Sequence, residues 1–212
     1  MVTGKIAFEG TPPPNEKVQM SADPYCQTKA SAYPTLETVK VSDGGLENVI
    51  VFVSNAPAAA YPMPATAVEV DQQNCHYIPH VFTMRTNQPV KIKNSDMTLH
   101  NIHAWAEKNP PFNVGQPIPG MVNETKFPNP EVPLPVRCDV HRWMGAFIGV
   151  FNHPFHTVSK SGGTFELKLP PGKYEVIAWH EKFGQKMMSV EVTDSDKKDV
   201  NFSFSANDKA AD

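Results

Sequence analysis

The sequence predicts an all-β protein with sandwich-like architecture, and three observations favour this class. Short runs in which apolar and polar residues alternate recur along the chain, as expected for half-buried strands. Few segments carry apolar residues at a period of 3.6, and 21 prolines in 212 residues interrupt any long helix. Turn signals such as DGG and PPG separate the alternating runs.

The first region, about residues 1–58, contains two strand-like runs. GKIAFEG alternates Ile6 and Phe8, and ENVIVFVSN follows the DGG turn. The continuous apolar run Val49–Val53 predicts a strand that is buried on both faces. The segment between the two runs is predicted as loop with at most one short strand.

The second region, roughly residues 66–152, begins with the alternating AVEVDQ and includes the short strand VKIKN. Eight prolines from Pro110 to Pro135 exclude a regular helix or a central strand through most of that stretch. A loop of this length inside a domain is usually functional or disordered. The alternating VPLPVRC then leads to Cys138, and GAFIGVFNH predicts a core strand.

The third region, residues 157–206, carries alternating apolar residues on both sides of the PPG turn in GGTFELKLPPGKYEVIAWH. This pattern predicts a β-hairpin. MMSVEVTDSDKKDVNFSFS shows the same hairpin pattern, with alternating runs on both sides of a polar turn. Residues 207–212 are predicted to be a frayed polar tail.

Composition excludes several classes of function. The formal net charge is −3 and 19% of the residues are charged, so nothing indicates a nucleic-acid partner. No apolar stretch approaches the length of a membrane span. The start, MVTGKIAFEG, lacks a basic region followed by an apolar one, so export would imply a leader that has already been removed.

The three cysteines suggest one disulfide and one functional thiol. Cys26 and Cys75 both stand among polar, loop-like residues, and pairing them leaves Cys138 alone. Such a disulfide would imply an oxidising compartment such as the periplasm. Cys138 itself could be a small buried residue, half of a disulfide or a metal ligand.

The stretch CDVHRWM, residues 138–144, favours the metal ligand. Thiolate, imidazole and thioether together suit copper, and two histidines, a cysteine and a weakly bound methionine form an electron-transfer site. His100 or His103 in NSDMTLHNIHAW would supply the other imidazole. Zinc rarely takes methionine, and a binuclear copper centre needs a second cysteine in the loop.

C-x₂-H-x₂-M after a strand resembles the ligand loop of the small blue copper proteins (cupredoxins), amicyanin most closely, with plastocyanin using a longer variant. His100-Asn101 after NSD resembles the upstream His-Asn of the same family. The resemblance implies one mononuclear type 1 copper ion held by His100, Cys138, His141 and Met144. It also implies that Asn101 steadies the ligand loop by hydrogen bonds.

Other residues near these motifs have weaker claims. On a strand, His100 and His103 point to opposite faces, and the His-Asn resemblance favours His100, so His103 is the alternate ligand and burial is its fallback role. His80 is a weaker alternate that could instead cap a strand entry. Trp143 either packs over the site or is exposed as a docking residue. The resemblance places His141 at a solvent-side edge through which electrons leave.

The later histidines His153, His156 and His180 could form a second metal site, which would point to an enzyme. Structural hydrogen bonding is the alternative. The sequence contains neither a Ser-His-Asp arrangement nor a zinc-protease motif. It therefore predicts that the chain is not an enzyme.

GKIAFEG and GGTFELKLPPGKYEVIAWHEKFG resemble the two ends of a carboxypeptidase regulatory-like (transthyretin-type) β-sandwich. With DPYC, GGLENV, DQQNCHYIPHV and HPFHTV, the whole chain is similar to exported bacterial proteins that combine this module with a cupredoxin. The resemblance implies a copper domain, residues 66–152, inserted between the halves 1–60 and 153–206 of a sandwich, with Cys26–Cys75 tying the two together. Two consecutive sandwiches are the alternative.

The function implied is periplasmic electron transfer. Partners would be redox proteins, such as a c-type cytochrome or a respiratory complex, and docking would rest on an apolar patch because the net charge is small. Copper storage or delivery is one alternative. A structural subunit of a larger redox complex is another.

Overall fold

The computed structural model describes residues 1–193 and 198–210 and is almost entirely β-structure, which confirms the predicted fold class. The strands are β1 (Val2–Glu9), β2 (Val41–Ser42), β3 (Gly45–Leu46), β4 (Ile50–Val53), β5 (Val68–Gln73), β6 (His76–Ile78), β7 (Val81–Arg85), β8 (Val90–Asn94), β9 (His100–Ala104), β10 (Phe112–Gln116), β11 (Val122–Thr125), β12 (Glu131–Arg137), β13 (Gly145–Phe151), β14 (His156–Val158), β15 (Thr164–Leu167), β16 (Gly172–His180), β17 (Gly184–Val192), β18 (Lys198–Asp199) and β19 (Phe202–Ser205). One helical turn, α1 (Pro24–Gln27), and a 3-10 turn (Ser161–Gly163) accompany them.

The chain forms two compact units, and both are discontinuous in sequence. The first comprises the described residues of Met1–Asn15, Glu37–Tyr61 and His153–Asp212. The second comprises Glu16–Leu36 and Pro62–Asn152. Each unit contains two sheets and its own apolar core.

In the first unit, β1 is the centre of one sheet: it pairs with β15 and β18 through its first half and with β3 and β19 through its second half. The other sheet has the order β14-β4-β16-β17. Apolar residues of both sheets share one core, in which Ile6, Val51 and Val176 are completely buried. The run Val49–Val53, predicted as buried, lies in and beside β4.

The predicted hairpin around the PPG turn is wrong, because its two strands belong to different sheets. β15 pairs with β1, whereas β16 pairs with β4 and β17. The alternating pattern identifies both strands, but it does not determine whether the turn joins neighbours or crosses from one sheet to the other. The polar turn predicted after β17 falls on residues 194–197, which lie outside the described residues.

In the second unit, one sheet has the order β10-β9-β12-β13-β7 and the other β11-β8-β5-β6. Inward-facing residues alternate along β8, where Val90 and Ile92 are buried while the lysines between them are exposed. β9 and β12 are neighbours in the larger sheet, with Arg137 opposite His103. The ends of these two strands position the candidate site.

The proline-rich stretch is more regular than predicted, because it contains β10 and β11 in addition to β12, the strand predicted before Cys138. β12 lies inside its sheet although it includes Pro133 and Pro135. A register shift between Glu131 and Leu134 accommodates the first proline. β9 pairs with β12 only at Val136 and Arg137. The two prolines, which lack an N–H group, therefore precede the part of β12 that forms backbone hydrogen bonds with β9.

The predicted boundary of the first module also needs correction, because Glu16–Leu36 belongs to the second unit. We refer to this stretch as the cover segment. Met20 and Cys26 in the cover segment are buried in the core of the second unit. The disulfide between Cys26 and Cys75 fixes the segment there, which confirms the predicted pairing. Both cysteines belong to the second unit, so the expectation that this disulfide ties the two modules together is wrong.

The polar tail is ordered through Ala210, contrary to the prediction that it frays. The N–H group of Ala210 donates to the carbonyl of Lys182, and Asp208 pairs with Lys186 at 2.9 Å. Residues 211–212 lie outside the described residues. Among the residues described, no helix has the length and apolarity required to span a membrane.

Candidate metal centre

The loop between β12 and β13, residues 138–144, is closed by its own hydrogen bonds; we refer to it as the ligand loop. The backbone N–H of Cys138 donates to the carbonyl of Met144 at 3.2 Å, and that of Met144 donates to the carbonyl of His141 at 2.9 Å. The N–H group of His141 donates to the Cys138 sulfur at 3.3 Å. These bonds bring the cysteine, the histidine and the methionine to one end of the sandwich.

His100, the first residue of β9, meets the ligand loop. Its Nδ1 atom lies 2.9 Å from Nδ1 of His141, and the Cys138 sulfur lies 4.0 Å from the same nitrogen. The three ligand atoms are within 4.8 Å of one another, and all three residues are buried. Met144 is completely buried in the same loop. The structure thus brings together three of the four residues that the sequence motif singles out, and the fourth, Met144, lies in the same loop.

The surroundings favour the thiolate form of Cys138. Burial raises the pKa of this thiol, but hydrogen bonds from His100, His141 and the backbone N–H groups of Asn101 and His141 outweigh burial and lower the pKa from 9.0 to about 6. Burial lowers the pKa of His100, whereas its hydrogen bonds to Asp96 and Cys138 raise it, and the net shift is upward. The site therefore favours a negative charge on Cys138 and a positive charge on His100.

Asn101 connects β9 to the ligand loop. Its side-chain oxygen accepts a hydrogen bond from the N–H group of Asp139 at 2.6 Å, and its amide donates to Asn113 and to the Asp139 carboxylate. The buried Tyr77 hydroxyl donates to the carbonyl of Asn101. The steadying role expected of Asn101 is consistent with these contacts.

The expected solvent-side edge at His141 is wrong, because His141 is only 2% exposed. Asp23 of the cover segment lies 3.0 Å from its Nε2 atom, and the Cys26 sulfur lies 3.8 Å from the same atom. Trp143 packs on the His141 ring at 5.0 Å between ring centroids and donates its N–H to the carbonyl of Cys75 at 3.1 Å. The ring that the resemblance placed at the surface is therefore enclosed.

The alternate ligands lie elsewhere. The His103 side chain is 34% exposed and contacts Asp139 at 3.1 Å, so burial, its expected fallback role, is also wrong. His80 bonds through Nδ1 to the carbonyl of Gly145 at 2.9 Å and packs on Phe147. Neither belongs to the group of converging ligand atoms among the described residues.

The late histidines belong to the first unit and make structural contacts. His153 accepts a hydrogen bond from the N–H group of Phe155, and His180 accepts one from Lys182. The rings of His153 and His156 are 6.3 Å apart, and His180 stacks on Phe183 instead. No metal-binding group that includes them is found among the described residues.

A surface depression opens beside Cys138. Its lining consists of Trp105, Arg137, Cys138, Asp139 and Arg142. Trp105 is 57% exposed, and Arg137 lies over the Phe147 ring at 5.0 Å. This depression, rather than the His141 ring, is the open face next to the ligand loop.

Two carboxylates, the buried Asp96 and the half-buried Asp23, were not anticipated from the sequence. Asp96 bonds to Nε2 of His100 at 2.8 Å, and Asp23 bonds to Nε2 of His141. Burial raises the pKa of Asp23, but hydrogen bonds from Cys26, Thr98 and His141 outweigh burial and lower it to about 2. The position of Asp96 four residues before His100 is a detectable signal, whereas Asp23 and His141 are 118 residues apart.

This arrangement fits a soft or borderline transition-metal ion. Thiolate and imidazole bind such ions, and a nearby thioether favours copper over zinc. The outer nitrogen of each imidazole bonds to a carboxylate, as is usual for histidines that bind metals. The fold and the site together define a β-sandwich protein with a buried group of side chains that could hold a metal ion.

Solved structures similar to this chain include cupredoxins and a copper enzyme. Amicyanin from Paracoccus versutus is 20% identical with a TM-score of 0.36, and the match covers 47% of this chain and 96% of amicyanin. A purple cupredoxin from Nitrosopumilus maritimus is 18% identical with a TM-score of 0.34, covering 39% and 98% respectively. No family model and no curated protein sequence matches the chain.

A copper-containing nitrite reductase from Thermus scotoductus SA-01 is also similar, at 18% identity and a TM-score of 0.38. The match covers 45% of this chain and only 25% of the reductase. The prediction that the chain is not an enzyme is corrected by this finding, because the similar structures include an enzyme as well as amicyanin.

Proposed function

We propose that this chain is an extracytoplasmic electron-transfer protein with one mononuclear copper ion at His100, Cys138, His141 and Met144. The observation that carries the proposal is the convergence of two Nδ1 atoms and one thiol sulfur in a buried site. Two imidazoles and a thiolate, with methionine as a weak ligand, form an electron-transfer copper site. The cupredoxins among the similar structures agree with this choice of metal.

Copper bound here supplies a one-electron couple. The contribution of the chain is to hold its ligands in one arrangement for both oxidation states. The hydrogen bonds inside the ligand loop and those of Asn101 restrict movement of Cys138 and His141. Burial excludes water, so the ligands need little rearrangement when the charge of the site changes.

Burial favours electron transfer over the storage or delivery of copper. A protein that delivers copper exchanges it with partners and therefore needs ligands that a partner can reach. Here His100 is completely buried, and Cys138 and His141 are each 2% exposed. We therefore favour electron transfer over copper storage or delivery as the function.

The disulfide supports an oxidising compartment such as the periplasm. Disulfides persist outside the cytoplasm, where thiols are not kept reduced. The Cys26–Cys75 disulfide belongs to the same unit as the metal centre and lies beside it. The proposed partners are consequently redox proteins of that compartment, such as a c-type cytochrome or a respiratory complex.

We place the docking face for such a partner at the depression beside Cys138. Trp105 offers exposed apolar area, and Arg137 and Arg142 add positive charge. This combination suits a partner with an acidic docking face. The first unit would be a regulatory-like sandwich, as its terminal motifs suggested, and would add interface area for a larger complex.

The visible absorption spectrum of the oxidised, copper-loaded protein tests the proposal. We expect an intense copper–thiolate charge-transfer band that the Cys138→Ser variant lacks. His80→Ala is the matched control, because it removes an imidazole of the same unit that bonds elsewhere, and its spectrum should equal that of the parent. Copper bound without the band, or no copper bound at all, would overturn the proposal.

A further inference from the structure

Each candidate imidazole ligand has a carboxylate on its far side. His100 and His141 direct Nδ1 toward each other, and their Nε2 atoms bond to Asp96 at 2.8 Å and to Asp23 at 3.0 Å. The Asp96 side chain is 2% exposed and that of Asp23 is 18% exposed. Both pairs therefore lie in surroundings where solvent weakens a hydrogen bond little.

The two carboxylates are themselves held in place. Asp23 accepts hydrogen bonds from the N–H group of Cys26 at 2.9 Å and the hydroxyl of Thr98 at 2.7 Å. Asp96 accepts from the N–H groups of Asn74 and Cys75 at 2.8 and 2.7 Å. Each carboxylate is thus aimed at one imidazole by donors outside the ligand loop.

The disulfide links two residues that donate hydrogen bonds to the two carboxylates. Cys26 donates to Asp23, and Cys75 donates to Asp96. The Cys26 sulfur also lies 3.8 Å from Nε2 of His141, where it covers the ring. The cover segment therefore completes the outer side of the centre, although it is far in sequence from the ligand loop.

We infer that Asp23 and Asp96 are positioning residues for the metal centre: each accepts the outer N–H of one imidazole and leaves Nδ1 of that ring to bind the metal. A carboxylate in this position fixes the tautomer and makes the imidazole more basic. A more basic ligand stabilises the more highly charged state of the metal. The inference rests on the proposed function for the identity of that metal.

The carboxylates therefore lower the reduction potential of the centre and slow release of the metal. Asp23→Asn is the sharpest test, because asparagine retains the oxygen that caps α1 and replaces the charged oxygen that accepts from His141 and Thr98 by an amide NH2 group. Asp71→Asn is the matched control, since Asp71 contacts Ser95 and Lys93 instead of a ligand. We expect the first variant to keep the copper–thiolate band and to show a higher reduction potential.

Metal-free and zinc-loaded protein test the inference without copper. Nitrogen-15 NMR of the metal-free parent should show both rings protonated at Nε2, and only His141 should lose this preference in Asp23→Asn. Zinc should bind about 10–100-fold more weakly in this variant, as is typical when an outer partner of a ligand is lost. Asp71→Asn should match the parent in both measurements.

The outcomes separate the two proposals. If the parent lacks the copper–thiolate band, the proposed function fails, and the NMR and zinc measurements still decide whether Asp23 positions His141. If the band is present but Asp23→Asn matches Asp71→Asn in potential, tautomer and zinc affinity, the inference is overturned and electron transfer stands.

Discussion

At the scale of single residues, the centre depends on groups that hold Cys138 as a thiolate before any metal binds. His100 faces the sulfur from β9 and His141 faces it from the ligand loop, and backbone N–H groups add to the stabilisation of its negative charge. Metal binding to such an arrangement need not first remove a proton from the thiol, because the ligand is already deprotonated. The metal-free protein should therefore show an acidic thiol.

We expect Cys138 to titrate at a pKa of about 6 in the metal-free protein, lowered from 9.0. Because the pKa is lowered on folding, the thiolate stabilises the fold above the unfolded pKa, and this contribution is lost as the pH falls from about 9 to about 6. Ultraviolet absorbance of the thiolate against pH measures the titration, with Cys138→Ser as the blank. A midpoint near 8.5, the usual value for cysteine, would contradict it.

Residue-level prediction from sequence succeeds where the relevant side chains are close in the chain. Cys138, His141 and Met144 share one loop, so their spacing is visible in the sequence. His100 and His103 point to opposite faces of β9, and the resemblance of His100-Asn101 to the His-Asn of cupredoxins selects His100. Asp23 is not predictable in this way, since only the packing of the cover segment brings it to the ring of His141.

At the scale of elements, two backbone segments of the first unit approach each other so closely that only glycine fits at the contact. An added Cβ at Gly45 in β3 would lie 2.0 Å from the carbonyl oxygen of Gly162. Gly163 has a φ of +71°, and its own added Cβ would lie 2.3 Å from the carbonyl oxygen of Ile6. Two backbone segments of the first unit therefore meet with no room for side chains.

The Gly45→Ala variant should lose about 3 kcal/mol of unfolding free energy, because the added methyl group overlaps backbone that cannot move freely. Chemical denaturation of the metal-free protein measures this loss. Gly115→Ala is the control, since no atom lies within 4 Å of its added Cβ, and it should be near neutral. Equal stability of the two variants would show that the backbone relaxes around Gly45.

The cover segment depends on the disulfide, which closes a sequence separation of 49 residues. Replacing Cys26 and Cys75 together by alanine should lower the unfolding free energy by about 4 kcal/mol. It should also speed release of the metal to a chelator, because Asp23 and Cys26 would no longer be held over His141. A double variant that releases metal at the parental rate would show that packing alone retains the segment.

Strands are more predictable from this sequence than their partners. Alternation identifies β1, β8, β15 and β16, because each has one face against a core. The pairing of β15 with β1 depends on contacts between residues more than 150 positions apart, which local patterns do not record. Prolines also misled the prediction at β10 and β11, which form strands in the stretch that was predicted as loop.

At the scale of the whole molecule, both units are assembled from distant parts of the chain. β1 pairs with β19, so the first unit is completed only by the last described strand. The second unit likewise requires the cover segment to join residues 62–152. Pairings of such long sequence separation form slowly, so we expect folding to be slow for a protein of this size.

Docking also depends on the whole molecule. The small net charge of the protein, −3, gives little long-range electrostatic steering of a partner. The local charge of Arg142 and the exposed ring of Trp105 should therefore decide how fast electrons pass between the site and an acidic partner. We expect Arg142→Glu and Trp105→Ala each to slow reduction of the oxidised copper protein by an acidic c-type cytochrome several-fold. Stopped-flow absorbance of the copper–thiolate band measures the rate.

The control for charge is Lys91→Glu, which makes the same change on an exposed residue of β8 outside the depression. Ile118→Ala is the control for exposed apolar area, because Ile118 is 62% exposed and does not line the depression. All four variants should keep the parental absorption band, since none replaces a ligand. If Lys91→Glu slows the reaction as much as Arg142→Glu does, the partner does not dock specifically at the depression. The proposed docking face beside Cys138 is then wrong.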